Sequence, residues 1–406
     1  MNILHVHKYY YPRAGAERYM LDLMAMQEEA GHTVAPFAMH YAKNMVSPWS
    51  DFFVSELKTE RVGRGLGALK QAARAFWSRE AERKMTAMIV AFRPDVVHVH
   101  NIYTHFSPSI LRACRRAGVP VVMTVHDHAI VCANHAAWTG TRPLLPNEMG
   151  PLRVAKTRFI KGSYLATLAL ALIHEWHLKT NAYTKNIDRF LAISRYMKKT
   201  MVARGFPEEK IEVLYNFVAP ECVARAEKTE CVFFLGRLFD YKGAQTLIEA
   251  VKHIPSSTLR IAGSGPYEPE LRALAAASKH ITFLGQLDKA QIAQEFSRAR
   301  VAVFPSLLNE PFGLAAVEAM RCGVPVIVSN RGGLAEVVED GVSGRVFRAG
   351  DREELTVIIS EFLANSSYAQ SIGEAGAKRA MDISDPETHL ERVLAIYHEV
   401  IALGDK

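Results

Sequence analysis

Residues 231–251 read CVFFLGRLFDYKGAQTLIEAV. The apolar run Cys231–Leu235 predicts a strand, Gly236–Gly243 a loop, and the residues after it a helix. A strand followed by a crossover helix is the building block of a parallel sheet. The unit recurs on the C-terminal side, where Leu259–Ala262, Ile281–Leu284, Val301–Phe304 and Pro325–Val328 read as strands followed by turns and helices. Asp288 is suited to cap the helix that ends near Arg298. On the N-terminal side the runs Ile3–Val6, Val34–Met39, Val96–Val99, Val119–Val125 and Phe190–Ile193 repeat the scheme. Between them, helices over Glu17–Ala30 and Pro108–Ala117 are closed by Gly31 and Gly118.

Ile211–Leu214 reads as one more strand, and Asn216–Lys228 has no periodicity, so the expected boundary lies there. A length of 406 residues fits two domains. The expected organisation is 1–215, 216–385, and a C-terminal helix in 386–406. That helix, Pro386–Ile401, has an apolar face that suits either domain. The fold class is α/β, with two Rossmann-like domains whose parallel sheets are expected to face one interdomain cleft. Ligands of such sheets bind beyond the carboxyl ends of the strands, so chemistry is expected on loops that follow strands.

Unusual residues do fall there. Arg237 and Lys242 lie on the loop after Cys231–Leu235, where a guanidinium fork and an ammonium can clamp a diphosphate. Ser306–Met320 reads SLLNEPFGLAAVEAM; Pro311 suits a first helical position and Gly323 lies past the end. A helix starting at Pro311–Phe312 would offer the backbone N–H groups of Phe312, Gly313 and Leu314 to an anion. Glu310 and Glu318 would then accept hydrogen bonds from sugar and ribose hydroxyls, leaving the phosphates to the N–H groups. Gly263 and Gly265, in GSGP, let the backbone approach a ligand, but the segment lacks the third glycine of a dinucleotide fingerprint. Gly15 and Ala16 open a helix after the first strand, and His126 ends another strand. His98 and His100 share a strand face; one is expected to pack and one to border the cleft. His126, His128, Cys132 and His135 are loosely spaced like zinc ligands, but no partner pair accompanies them.

Composition bounds the rest. The chain is 49% hydrophobic and 22% charged, as globular proteins are. Five scattered cysteines form no C-x-x-C pair, which indicates no disulfide framework and favours a reducing compartment. The start, MNILHVHKYYYP, lacks the layout of a secretory signal, and the apolar run Tyr164–Ile173 is too short to span a bilayer. The expected location is the cytoplasm. Net charge is +7, and Lys58–Arg93 holds nine basic residues against three acids, interleaved with Leu66, Leu69, Phe76, Trp77 and Met85. That segment reads as a basic amphipathic helix, suited either to an anionic membrane surface or to a solvated face. No nucleic-acid motif accompanies the charge.

Taken in order, Gly15-Ala16-Glu17, His126-Asp127, Gly236-Arg237 with Lys242-Gly243, Gly263–Pro266 and Glu310 with Glu318 resemble the retaining family 4 glycosyltransferases of the GT-B fold. Supporting segments are DVVHVHN at 95–101, VLYN at 213–216 and GVPVIVSNRGG at 323–333. The likeness runs over about residues 1–400. It implies that Arg237 and Lys242 hold a donor diphosphate, Glu318 the ribose, and Glu310 with the Phe312–Leu314 amides the donor sugar. It implies further that His126 contacts that sugar, that Gly15 and Ala16 line the phosphates and acceptor, and that no metal is required. Two departures stand out: Ala14 where the family commonly has glycine, and only Cys132 in an insert, 132–179, that carries several cysteines in some relatives. The expected activity is transfer of a sugar from a UDP or GDP donor to a saccharide or lipid-linked acceptor, in cell-envelope polysaccharide synthesis. The competing readings are a nucleotide-sugar epimerase and a non-catalytic scaffold on the same fold.

Overall fold

The computed structural model describes residues 1–57, 66–219, 222–223 and 231–404. Its strands are Asn2–Val6 (β1), Thr33–Phe37 (β2), Val96–Val99 (β3), Val121–Val125 (β4), Arg189–Ala192 (β5), Ile211–Val213 (β6), Cys231–Leu235 (β7), Thr258–Ala262 (β8), Ile281–Gly285 (β9), Val301–Phe304 (β10), Val326–Ser329 (β11) and Arg345–Phe347 (β12). They form two six-stranded sheets, ordered β2-β1-β3-β4-β5-β6 and β12-β11-β10-β7-β8-β9. Every pairing between these strands is parallel. β3, β4, β10 and β11 are buried at every position, as strands are when helices cover both faces of a sheet.

The chain divides into two compact units: 1–139 with 144–214 and 387–406, and 140–143 with 215–386. The helix Pro386–Gly404 belongs almost wholly to the first, which resolves what its periodicity left open. Its anchors are polar. Tyr397 is fully buried and bonds His98 and Gln27, while Tyr19 bonds His389 at 2.8 Å. Arg392 grips Glu212 with two nitrogens, at 2.5 and 2.7 Å. In the second unit, Leu247, Ile248 and Val251 of the helix Ala244–Val251 share one core with Leu355, Ile359 and Phe362 of Arg352–Ala364. Each such side chain contributes about 1.5–3 kcal/mol on burial.

Several expectations are corrected. The basic segment is not one helix: Leu66–Phe76 and Arg79–Phe92 are separate, with Ser78 capping the second through a bond from the Ala81 amide. Met85 faces the core, and Arg74 and Lys84 are committed to backbone carbonyls of Ser55, His105 and Asp51. Lys58, Arg61 and Arg64 lie outside the described residues. β12 was not anticipated, because three residues carry too short a pattern to read. Cys222 and Cys322 are joined by a disulfide across 100 residues, while Cys114, Cys132 and Cys231 are free and buried. The cysteines therefore give no ground for a reducing compartment; a pairing over that distance leaves no local spacing to detect.

Candidate functional site

In the second sheet the chain order reverses between β7 and β10, and this is where ligands of such sheets bind. The loops after these two strands meet. Lys242 Nζ donates to Glu310 Oε1 at 2.6 Å, and Ser306 Oγ donates to the same oxygen at 2.8 Å. Leu307 N donates to the Tyr241 carbonyl at 2.8 Å, and Ser306 Oγ lies 3.2 Å from the same oxygen. Glu310 is held by its backbone too, since Gly333 N donates to its carbonyl at 2.7 Å. Ser306, Tyr241 and Gly333 carried no signal of this role in the sequence, because each acts through contacts between distant segments.

The glycines make the meeting possible. Gly243 has φ 76°, and a Cβ there would sit 1.8 Å from the Pro305 carbonyl oxygen. At Gly263 it would lie 1.9 Å from the Gly236 oxygen, and at Gly265 2.2 Å from the Leu238 oxygen. At Gly263 and Gly265 the missing side chain makes room for the neighbouring loop that carries Arg237.

Burial alone would raise the Glu310 pKa. The charge of Lys242, its hydrogen bond and that of Ser306, and the charge of Arg237 outweigh it and hold the carboxyl below its ordinary value. Arg237 is exposed, with its guanidinium 5.2 Å over the Phe239 ring. Arg237 and Lys242 outnumber Glu310, so the three together keep a positive charge.

The helix after β10 spans Leu314–Arg321 and starts later than expected. Pro311 and Phe312 precede it, and Gly313, at φ 129°, is its N-cap. Glu310 pairs with Gly332 in an isolated parallel bridge, and the chain bends at Pro311 before the helix begins. The N–H groups at the start of a helix lack intrahelical partners, so Leu314 and its successor are the amides the helix itself offers. Glu318 lies one turn in, half-buried.

In the first unit, Gly15 opens the helix Gly15–Glu29 two residues earlier than expected, with Ala16 beside it and Ala14 as N-cap. His126 follows β4 directly, partly exposed, and its Nε2 lies 3.0 Å from His100 Nδ1. His98 and His100, of which one was expected to pack and one to border the cleft, are both fully buried. His128 bonds Tyr196 at 3.0 Å and Cys132 is buried. Among the described residues, the side chains close enough together to hold an ion are His5, His98 and His100 rather than that set.

A groove of about 1030 Å³ lies elsewhere on this unit. Phe76, Trp77 and Trp176 line it together with Arg79, Arg83 and Arg116. The Phe76 and Trp176 rings pack tilted by 40° with centroids 4.4 Å apart, and remain 39% and 41% exposed.

Two family models match. "Glycosyltransferase Family 4" covers residues 13–221, more than half the chain, and "Glycosyl transferases group 1" covers 220–379. An uncharacterized glycosyltransferase of Methanocaldococcus jannaschii, MJ1178, is 29% identical over 48% of this chain and 54% of its own length. The chain thus spans about half of that relative. The GDP-mannose-dependent alpha-(1-6)-phosphatidylinositol monomannoside mannosyltransferase of Mycolicibacterium smegmatis is 27% identical over 58% of this chain and 69% of its own. Among solved structures, Anabaena HepE in complex with UDP-glucose shares the fold with a TM-score of 0.67 at 19% identity, over 98% of this chain and 100% of that one. The fold class is GT-B, and the chain belongs to Glycosyltransferase Family 4.

Proposed function

We propose that the protein is a retaining glycosyltransferase that moves a sugar from a nucleotide diphosphate to a hydroxyl of a saccharide or lipid-linked acceptor. One observation carries the reading: Lys242 bonds Glu310, on whose carboxylate the charge of Arg237 also acts, beside a glycine-capped helix start where the order of the second sheet reverses. The donor diphosphate lies against Arg237, Lys242 and the amides of Phe312, Gly313 and Leu314. Glu318 takes the ribose, Glu310 the sugar, and Gly263 and Gly265 shape the loop beneath them. The same reading gives His126 a hydrogen bond to the sugar and Gly15 and Ala16 a place along the phosphates and acceptor.

In the reaction the bond between the anomeric carbon and the phosphate oxygen breaks. The acceptor oxygen bonds that carbon on the face being vacated, and its proton passes to the departing phosphate. Negative charge grows on the diphosphate as the bond lengthens, so cations and amides aimed there act more strongly in the transition state than in the ground state. They fill the role a metal would otherwise have, and the reading assigns none. UDP and GDP sugars are the donors to try first, given the UDP-glucose held by the structural neighbour and the GDP-mannose in the relative's name. Cell-envelope polysaccharide synthesis is the setting such a lipid-linked acceptor suits.

The test is a thermal-shift screen of nucleotide diphosphates and their sugars. A ligand at a hundred times its Kd adds about 2.7 kcal/mol of stability. A melting temperature unmoved by every UDP, GDP and ADP compound would remove the donor site. An epimerase would convert the nucleotide sugar with no acceptor present, which NMR of that mixture detects.

A further inference from the structure

His5, His98, His100 and His126 lie together at one end of the first sheet. His5 lies on β1, paired in register with His98 on β3; His100 follows β3 and His126 follows β4. His5, His98 and His100 are fully buried, with ligand atoms near enough together for an ion. Yet each of their ring nitrogens already has a partner. His98 Nδ1 faces Tyr397 OH, and its Nε2 faces Thr124 Oγ1 at 2.7 Å. His5 Nε2 faces Gln27 Oε1 at 2.7 Å, and His5 Nδ1 faces His100 Nε2 at 3.1 Å. His100 Nδ1 then faces His126 Nε2 at 3.0 Å. A metal would have to displace these bonds, so the set is better read as a chain.

The chain has a direction. Gln27 is itself fully buried, and its amide nitrogen donates to Tyr397 OH at 3.2 Å, which turns Oε1 to His5. An amide oxygen only accepts, so His5 carries its proton on Nε2. A neutral imidazole has one N–H, so His5 Nδ1 accepts and His100 must donate from Nε2. His100 Nδ1 then accepts from His126 Nε2–H, and the lone pair of His126 stays on Nδ1. Burial keeps the rings neutral: it pushes His5 down to about 4, His126 to about 3, and His100 well below the ordinary value. Exchanging the oxygen and nitrogen of Gln27 would reverse every link at once, so the state of His126 reports on all of them.

We propose that Gln27, His5 and His100 are positioning residues that fix His126 as its Nε2–H tautomer. His126 Nδ1 then accepts a hydrogen bond from a sugar hydroxyl and does not donate one to the departing phosphate. The sugar contact rests on the function proposed above; the tautomer does not.

The test is long-range nitrogen–proton NMR of the full chain labelled at histidine, with His126 assigned by its loss in His126→Gln. The expected result is a protonated Nε2 and an unprotonated Nδ1 in the unliganded protein. In Gln27→Leu the His126 signals should shift toward a mixture of tautomers. There kcat should fall about tenfold or more, as when a catalytic imidazole loses its oriented state, with the Kd for UDP or GDP within about twofold of the parent. A proton on Nδ1 of the parent protein overturns the proposal, and this holds even where the variant fails to fold. A folded Gln27→Leu with unchanged His126 signals and kcat also overturns it. The expected tautomer with no binding or turnover of any nucleotide sugar would overturn the sugar contact and the proposed function while leaving the chain's direction established.

Discussion

Lys242 Nζ lies 2.6 Å from Glu310 Oε1, and this contact ties the loop after β7 to the loop after β10 at the point where the sheet's order reverses. Both side chains are largely shielded from water, at 20% and 13% exposure. A carboxylate in such a place needs a cation, and a cation so placed is poised for a second anion. Lys242 has three N–H donors, so a phosphate oxygen can share it with Glu310.

Removing that cation should separate catalysis from stability. Lys242→Ala and Arg237→Ala should each lower kcat by about 10²–10³, on the order of 3 kcal/mol of transition-state stabilisation. Lys242→Ala should also lower the melting temperature, because Glu310 keeps its burial and loses its partner. Adding Glu310→Gln should restore stability without restoring turnover. Near-normal rates in both single variants would end the diphosphate-clamp reading.

Loop packing makes a different demand. Gly263→Ala puts a methyl group 1.9 Å from the Gly236 carbonyl oxygen, at a residue with φ 131°, and neither backbone can yield cheaply. Gly118→Ala shares the positive φ but meets nothing within 4 Å. The first should cost more than about 3 kcal/mol and the second about 1 kcal/mol, the strain of a left-handed alanine. Equal losses on chemical denaturation would mean the loop contact is unimportant.

Why the sheets were legible and parts of the site were not follows from the range of each signal. Cys231–Leu235 and Val301–Phe304 announce themselves by apolar runs, and Arg237, Lys242 and Glu310 by their place just after such runs. Nothing near Gln27 or His5 announces a partner, because their bonds join residues 22, 95 and 370 positions apart. Cys222 and Cys322 were missed for the same reason. Pro311 misled differently: it suits the first turn of a helix, but the hold of Gly333 on Glu310 delays the helix to Leu314.

Buried histidines should make stability depend on pH. In His5, His98 and His100 burial lowers the pKa, to about 4 for His5 and well below 6.5 for the other two. Between pH 6.5 and 4 the unfolded chain binds protons that the native one refuses. Stability is therefore full above pH 6.5 and falls as pH drops, by up to about 1.4 kcal/mol per pH unit for each such histidine. Glu310, whose pKa is also lowered, adds to the loss below its unfolded value of 4.5. Urea midpoints at pH 5, 6 and 7.5 should rise in that order. A flat profile from 5 to 6.5 would mean that these rings are not held neutral.

A lipid-linked acceptor would require the protein to meet a membrane, and the groove of the first unit is the surface on which to test this. Along the helix Tyr164–Lys179, Leu165, Leu172 and Trp176 fall on one stripe and are 75%, 54% and 41% exposed. Trp176 packs against Phe76, and Arg79 and Arg83 line the same groove. Among the described residues no helix is long and apolar enough to cross a bilayer. Apolar side chains beside exposed guanidinium groups suit the boundary between acyl chains and anionic headgroups, where each basic residue contributes about 1 kcal/mol. The protein should float with vesicles containing phosphatidylglycerol and not with neutral ones, and added salt should release it. Arg79→Glu with Arg83→Glu should weaken binding more than tenfold, and Trp176→Ser should weaken it at any salt concentration. Flotation that is absent, or unaffected by all three substitutions, would leave the groove without this role and the acceptor to be sought among soluble saccharides.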